Sequence, residues 1–346
     1  MVAARETLEA RARILRAVRA WFESEGFLEV DTPARVRSPG QEVHLDAVPA
    51  GDVASGVDGL RPSEPIAAGG RGDPSGGPRE ERWLITSPEY HMKRLVAAGL
   101  PRIVQIAKCW RANEVGPHHR GEFTMVEWYR ANAPLEALAD DCEALLRAAA
   151  AAAGRDPTAL GLAAPFARAT VRELWARHAG IKLDGDEDAT ALRAKAAAAG
   201  VAVGGATAWD DIFYQVFLDR IEPRLAAAGP TFVFDWPAPL AALARSKPDD
   251  PRVVERFELY AGGLELANAF GELTDAVEQR RRFTEEAALR AARGRAVYPI
   301  DEALLSALPR MPPTAGIALG FDRLVMLVLG ARDVGEVMAF GDENVG

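Results

Sequence analysis

The segment from Arg102 to Tyr129 constrains the fold most, because it reads as two strands joined by a polar loop. Residues 103–110 are apolar and follow Pro101, whereas residues 122–129 are rich in aromatic and β-branched side chains. Side chains alternate along a strand, so every second residue reaches the same face. If the two faces coincide, one surface carries Gln105, Ala107, Cys109, Arg111, Phe123, Met125, Glu127 and Tyr129.

This predicted surface has a composition that a hydrophobic core does not require. It combines the guanidinium of Arg111, the ring of Phe123, the carboxylate of Glu127 and the phenol of Tyr129. Such a set suits an anionic, aromatic, ammonium-bearing ligand, because Arg binds phosphate while carboxylate and phenol oxygens bind an amine. The alternative is a sheet whose outer face is only solvated.

A second double strand is predicted over residues 257–272, with Gly262 and Gly263 at its turn. Three carboxylates recur in it at intervals of seven residues, at Glu258, Glu265 and Glu272. Carboxylates in an apolar hairpin are costly unless cations meet them, whereas a solvated edge strand would tolerate them. Strict alternation puts Glu265 on the opposite face from Asn268 and Glu272. A shared site therefore requires a bulge or kink near Ala267.

The C-terminal segment from Gly316 to Gly330 reads as a glycine-punctuated strand that turns into an apolar helix. Asp322 is predicted to be the N-cap of this helix. Arg323 then lies within the first helical turn, ahead of an apolar run. An arginine in that position is unusual unless it faces an anion.

The first third of the chain contains a helix over residues 7–25, ended by Gly26, and then a strand closed by Pro33. Residues 51–80 are rich in Gly and Pro, which predicts a flexible inserted loop. A strand then turns into a helix at Thr86, in which Glu89 either contacts a ligand or only complements the helix dipole.

The middle of the chain is predicted to be a mostly helical insertion over residues 135–225. Helices are expected at 135–153, 171–199 and 209–225, where Ala-rich or apolar residues recur at helical spacing. The whole chain of 346 residues is then one large domain.

Composition excludes several classes of protein. The net charge of −9 supplies no global basic field for RNA or for an anionic membrane. Two cysteines give no disulfide framework and fit a reducing cytoplasm, and no apolar run is long enough to span a membrane. The sequence contains no Gly-Lys pair and hence no P-loop, and no G-x-G-x-x-G follows a predicted strand.

These segments together resemble the three motifs of class II aminoacyl-tRNA synthetases, closest to the lysyl subgroup. The motif 1 resemblance lies in GFLEVDTP, motif 2 in EFTMVEWY with Arg111 upstream, and motif 3 in GFDR. The resemblance implies an α+β fold, with a mainly antiparallel sheet flanked by helices, and a homodimer. About 25 residues precede motif 1, which leaves no room for a five-stranded anticodon-binding OB domain.

Three departures from lysyl-tRNA synthetases look like the elongation factor P–(R)-β-lysine ligase family. They are the missing anticodon domain, Ser87 in place of the usual Ala, and Ala318 in place of the motif 3 Gly. TSPEYHMKRL, GLELANAF and GELTDA also fit that family. The motif 2 acid runs against the pattern, because Asn113 stands at its position and Glu114 follows one residue later.

The resemblance implies ATP and Mg²⁺ as cofactors and assigns roles to matching positions. Arg111 and Arg323 are the catalytic cations. ATP binding falls to Arg111, Asn113, Glu114, His119, Phe123, Glu258 and Arg323. Binding of the amino acid falls to Ser87, Glu89, Glu127, Tyr129, Asn268, Glu272 and Ala318. Mg²⁺ falls to Glu258 and Glu265, and Glu89 and Glu272 are expected at opposite ends of a diamino acid.

The implied reaction activates lysine or β-lysine as an adenylate and transfers it to a lysine side chain of elongation factor P, without anticodon recognition and without a membrane. Two alternatives remain open at this stage. One is a lysine-activating enzyme whose acceptor is tRNA or a small molecule. The other is a non-catalytic synthetase paralogue with a regulatory binding role.

Overall fold

The computed structural model describes residues 4–53, 80–163 and 165–340. The helices are α1 (Arg5–Ser24), α2 (Glu89–Ala97), α3 (Leu135–Ala152), α4 (Val171–Leu174), α5 (Ala189–Ala198), α6 (Trp209–Val216), α7 (Glu222–Ala227), α8 (Ala276–Ala292), α9 (Glu302–Ala307) and α10 (Phe321–Leu329). Among these described helices, none combines the length and apolar content that a membrane span needs.

The strands are β1 (Leu28–Glu29), β2 (Arg35–Val36), β3 (Pro49–Val53), β4 (Glu80–Leu84), β5 (Arg102–Trp110), β6 (Glu122–Ala131), β7 (Ala167–Thr170), β8 (Thr231–Pro237), β9 (Ser246–Lys247), β10 (Asp250–Ala261), β11 (Leu264–Gly271) and β12 (Thr314–Gly320). Within the described residues, nine strands form the main sheet, in the order β1-β5-β6-β12-β11-β10-β8-β7 with β9 on β10. Among the described strand pairs, only β1–β5 and β7–β8 are parallel. The predicted α+β fold is confirmed.

Strand register brings the predicted polar faces together. Gln105 of β5 pairs with Glu127 of β6, which pairs with Ala318 of β12. The same row continues through Asn268 of β11 to Glu258 of β10. Directly paired residues point to the same face of a sheet, so one surface crosses five strands. The faces of β5 and β6 therefore coincide, as the sequence predicted.

The hairpin of β10 and β11 has the predicted turn and the predicted irregularity. Gly262 and Gly263 both have positive φ, 59° and 78°, which a tight two-residue hairpin turn requires. Leu259 pairs with Ala267 and Tyr260 with Glu265, so Leu266 is an extra residue that shifts the register. Because β11 lies between β10 and β12, the solvated edge strand is excluded.

The main core lies between the sheet and helices α1, α3 and α10. It includes Phe22, Leu145, Trp128, Phe257 and Val325, all 2% exposed or less. Helix α3 therefore belongs to the core, and residues 167–170 form a strand of the sheet.

The structure therefore does not support a helical insertion that begins at residue 135. A second cluster, around Trp175 and Phe213, covers the β8 end of the sheet, and it begins only at Val171. The helices there are also shorter than predicted, because π-helical turns at Trp175–Ala179 and Phe217–Ile221 interrupt them.

The Gly/Pro-rich loop has different ends from those predicted. Residues 51–53 belong to β3, and Val53 pairs with Glu80 of β4 in a small sheet of order β2-β4-β3. The prediction for residues 54–79 lies outside the described residues.

Asp322 does not cap α10, which was a wrong prediction, because the cap position is Gly320. The Asp322 carboxylate is buried and accepts the Thr124 backbone N–H at 2.7 Å. It also pairs with Arg11 of α1 at 2.6 Å. Asp322 therefore joins α1, β6 and α10.

Arg290 of α8 is fully buried, although arginine side chains are usually exposed. Its guanidinium donates to the carbonyls of Glu42, Leu45 and Ala296 at 2.6–2.7 Å. It also pairs with Asp46 at 2.8 Å. One side chain thus fixes the segment that carries Glu42.

We expect Arg290→Ala to lower the free energy of unfolding by about 3 to 5 kcal/mol, because it removes a buried guanidinium that donates to three carbonyls and leaves Asp46 paired with Arg295 alone. Urea denaturation measures the change. Arg281→Ala on the same helix is the matched control, since Arg281 is 55% exposed and its loss should cost less than about 0.5 kcal/mol. Equal effects of the two substitutions would contradict the structural role of Arg290.

Candidate active site

A cavity of about 650 Å³ opens on the polar face of the sheet. It brings together most of the residues predicted from sequence, namely Ser87, Glu89, Arg111, Glu114, His119, Phe123, Glu127, Tyr129, Glu265, Asn268, Glu272, Ala318 and Arg323. Asn113 and Glu258 do not line it.

Asn113 and Glu114 have different positions in the motif 2 loop. Asn113 adopts a left-handed backbone conformation with a φ of 66°, which is typical of a residue in a turn. Glu114 lines the cavity and lies 3.7 Å from Arg111. The geometry therefore favours Glu114 as the acid that accompanies Arg111.

Glu127 is buried at one end of the cavity and is held by two hydroxyl groups. Ser87 and Tyr129 each donate a hydrogen bond of 2.6 Å to its carboxylate. Burial, with the nearby Glu89, raises the pKa of Glu127 to about 8. Ser87 also accepts the Glu89 backbone N–H at 3.0 Å, so it joins the start of α2 to β6.

Lys93 is a site residue that the sequence analysis missed. Its ammonium group lies 2.5 Å from Glu89 and 2.6 Å from Glu272, and its side chain is 1% exposed. Burial alone would lower the pKa of Lys93, but Glu272 and Glu89 outweigh it and raise that pKa. The i,i+4 spacing of Glu89 and Lys93 on α2 was the signal in the sequence.

The bridge by Lys93 corrects the predicted separation of Glu89 and Glu272. Both carboxylates contact one ammonium group, so they lie side by side rather than at opposite ends of a ligand. Burial raises the pKa of Glu272 to about 8, against the lowering effect of Lys93. Lys93 thus opposes, without cancelling, the effect of burial on the pKa of Glu272.

Two further carboxylates on the cavity wall, Glu42 and Glu286, were also missed. Burial and then Glu89 raise the pKa of Glu42. Burial and then Glu42 raise the pKa of Glu286 to about 8. Sequence offered little signal for them, because Glu42 lies in an irregular segment and Glu286 is one of several acids on α8.

The opposite end of the cavity is cationic. Arg111 lies over the ring of Phe123, with its Cζ 5.0 Å from the ring centroid. Arg323 donates to the carbonyls of Glu265 at 2.8 Å and His118 at 3.2 Å. Arg111 thus covers one face of the Phe123 ring.

His119 is hydrogen-bonded to Arg323, and its Nε2 lies 2.6 Å from a guanidinium nitrogen. Burial and then the Arg323 charge lower the pKa of His119. A neutral imidazole can accept the guanidinium N–H and can turn to phosphate oxygens when ATP is bound.

Glu258 and Glu265 share a smaller neighbouring cavity of about 240 Å³. Glu258 accepts hydrogen bonds of 2.5 Å from Arg256 and Tyr260. Burial and then Glu265 raise its pKa, so the two carboxylates repel each other. Within the described ranges, no group of three or more His, Cys, Asp or Glu side chains could hold a metal ion. Two carboxylates together with substrate phosphates still match the usual coordination of Mg²⁺.

At Gly316, strand β12 passes close to the side chains at the acidic end of the cavity. A Cβ there would lie 2.2 Å from Glu272 Oε1 and 2.3 Å from the Tyr129 ring. Only glycine lets β12 pass beneath these two side chains. Ala318, two residues later, lies between Glu127 and Asn268 in the row across the sheet.

The comparison with protein families agrees with this geometry. Residues 70–344 match the family of class II tRNA synthetases (D, K and N). The chain belongs to this family, and it is therefore an ATP-dependent, aminoacyl-adenylate-forming ligase.

Curated relatives define the branch more narrowly. Proteins named elongation factor P–(R)-β-lysine ligase from Erwinia tasmaniensis, Enterobacter sp. (strain 638) and Klebsiella pneumoniae (strain 342) are each 38% identical. Each alignment covers 95% of this chain and 93% of the relative. The chain is thus similar to these ligases over nearly its whole length, and the family resemblance predicted from its motifs is confirmed.

The raised pKa values of Glu127 and Glu272 predict that binding of a diamino acid releases protons. A carboxyl group with a pKa of about 8 is largely protonated at pH 6 and must ionise to meet an ammonium group. Affinity should therefore increase as pH rises from 6 to 8, by up to roughly tenfold per unit for each proton released. Calorimetric titration at pH 7 in buffers of different ionisation enthalpy measures the protons. Binding heats that do not depend on the buffer would contradict this account.

Proposed function

We propose that this protein activates (R)-β-lysine, or lysine, with ATP and transfers it to a lysine side chain of elongation factor P. The observation that supports this is the division of one cavity into two ends. Arg111, His119 and Arg323 line one end. Glu89, Glu127 and Glu272 line the other. A ligand that suits both ends is a diamino acid joined to an adenosine phosphate.

The first step needs positioning and neutralisation of charge rather than a base. The carboxylate of the amino acid is already an anion and attacks the α-phosphorus of ATP in line, while pyrophosphate leaves. Arg111 would bind the attacking carboxylate and the α-phosphate, and Phe123 would stack on adenine. Arg323 and His119 would bind the terminal phosphates. Glu258 and Glu265 would hold Mg²⁺, which supplies further neutralisation of the phosphates.

The amino acid is selected by paired charges. Buried carboxylates left without an ammonium partner reject ligands that lack one, often by several powers of ten. Glu127, with Tyr129 and Asn268 nearby, would receive one ammonium group. Glu89 and Glu272 would receive the other beside Lys93.

We also propose how the chains assemble and where the protein acts. We expect a homodimer formed through α1 and β1, because Leu28 of the edge strand β1 is 53% exposed. We expect the protein to work in the cytoplasm, where translation factors are found.

Arg323→Ala should abolish adenylate formation, because the described part of motif 3 offers no other cation on the cavity wall. Loss of a charge-assisted contact to phosphate costs about 2 to 4 kcal/mol, or about 10² to 10³ in rate. ATP–pyrophosphate exchange with lysine and with β-lysine measures it, and Arg332→Ala, outside the cavity, is the control. Exchange by Arg323→Ala within tenfold of the wild type would refute the motif 3 assignment.

Ala318→Gly should shift preference from β-lysine towards lysine. The Ala318 methyl lies between Glu127 and Asn268, and a β-amino acid moves one ammonium by one carbon. A methyl in a tight pocket is worth about 1 to 3 kcal/mol, so the ratio should change by roughly tenfold or more. The measurement is kcat/KM for adenylation of both amino acids. An unchanged ratio removes Ala318 from the specificity argument, and a wild type that prefers lysine counts against the β-lysine assignment.

A further inference from the structure

Glu42 and Glu286 form a carboxylate pair that the activation step does not use. Both line the cavity, one from the irregular segment after β2 and the other from α8. Glu42 Oε2 is shielded from solvent and accepts no hydrogen bond from any other residue that the structure describes. Two carboxylates in such surroundings are costly unless a cation joins them.

The guanidinium groups of the two neighbouring arginines are hydrogen-bonded to groups other than these carboxylates. Arg282 is hydrogen-bonded to Glu278 and to the carbonyls of Ala242 and Ala244. Arg290 binds the Glu42 carbonyl rather than its carboxylate. A fold that needed only stability could have directed either guanidinium to the pair. Neither of these two guanidinium groups is thus hydrogen-bonded to the carboxylates of the pair, which can receive a cation that enters the cavity.

The position of the pair shows which part of a reaction it can serve. The charges that act most on Glu42 are those of Glu89 and then Arg111, so Glu42 lies where the acidic and cationic parts of the cavity meet, near the place where Arg111 would hold the activated carboxyl group. On α8, Glu286 is followed by Leu289 and Arg293 on the same cavity wall. Leu289 is 50% exposed, so this wall leads out to solvent.

We propose that Glu42 and Glu286 receive the protonated amine of the acceptor and take its proton before it attacks the adenylate. This inference rests on the proposed function, and it assigns a base to the second step. A lysine side chain is an ammonium ion at neutral pH and cannot act as a nucleophile until it loses a proton.

The chemistry of the step balances with the groups present. The ammonium gives one proton to a carboxylate of the pair, and its nitrogen forms a bond to the carbonyl carbon of the adenylate. The bond from that carbon to the phosphate oxygen breaks, and AMP leaves with the electron pair. The second proton on nitrogen passes to solvent, and an amide remains.

The surroundings of Glu286 suit it to this task. Its pKa of about 8 reflects burial first, then Glu42 and Glu89, opposed by Arg282 and Arg290. Tyr90 also faces the pair, and burial with Glu42 and Glu286 keeps its phenol protonated by raising its pKa. A general base works best when its pKa lies near the working pH, and proton transfer of this kind contributes about 10² to 10⁴ in rate.

The test uses the full chain with Glu42→Gln, Glu286→Gln and the double variant. Glu285→Gln is the matched control, since Glu285 is the adjacent residue on α8, 57% exposed and paired with Arg281. Each protein is assayed for pyrophosphate exchange, for transfer to elongation factor P, and for transfer to hydroxylamine. Hydroxylamine is uncharged at neutral pH and needs no base.

We expect transfer to elongation factor P to fall at least about thirtyfold more than exchange does in the two single variants. Hydroxylamine should restore transfer, and activity with elongation factor P should recover as pH rises towards the pKa of the free amine. The control should match the wild type in all assays.

Parallel losses of exchange and transfer would overturn the inference, because they would mean that the pair binds the amino acid or supports the fold. The inference would also be overturned if transfer to hydroxylamine fell as much as transfer to elongation factor P, or if transfer to elongation factor P did not fall. The proposed function is tested separately by the wild type, which must form the adenylate and modify elongation factor P.

Discussion

The active-site end of this fold depends on one buried ammonium group, Lys93 Nζ, placed between Glu89 and Glu272. Removal of a charged partner from a buried pair leaves an uncompensated charge, which is strongly destabilising. Helix α2 carries both Glu89 and Lys93, while Glu272 follows β11. The bridge therefore joins a helix to the centre of the sheet, and it sets how many carboxylates remain for a ligand.

The sheet makes this arrangement possible because its register is continuous. Gly316 lets Tyr129 and Glu272 approach β12, and the extra residue Leu266 turns Glu265 away from the regular alternation. One slip of a strand would move a whole row of polar groups to the other face. The same strands thus hold both the acidic end and the cationic end of the cavity.

Sequence reasoning succeeded where local periodicity decides structure. Alternation placed Glu127 and Tyr129 on one face, and the spacing of Glu265 and Asn268 required an irregularity that β11 contains. It failed where a long-range contact decides. Lys93 binds Glu272, and Arg290 binds the carbonyls of Glu42 and Leu45, and neither contact is local in the sequence.

The helical middle of the chain shows the same limit. The sequence gives apolar spacing around Trp175 and Phe217, but π-helical turns there interrupt the helices, and the spacing does not reveal them. Packing of these aromatic residues against Trp236 of the sheet is a tertiary contact. Propensity and periodicity therefore predict the helical class of this region but not its boundaries.

The excess of carboxylates over cations in the cavity itself favours a ligand that carries two ammonium groups. Glu127 and Glu272 both have raised pKa values because burial disfavours their charged forms. The empty cavity thus avoids most of the cost of buried negative charge by holding protons. A ligand with two ammonium groups replaces those protons with fixed positive charges at the right positions. A neutral or singly charged amino acid cannot do so, and the carboxyl groups that it leaves protonated or unpaired oppose its binding.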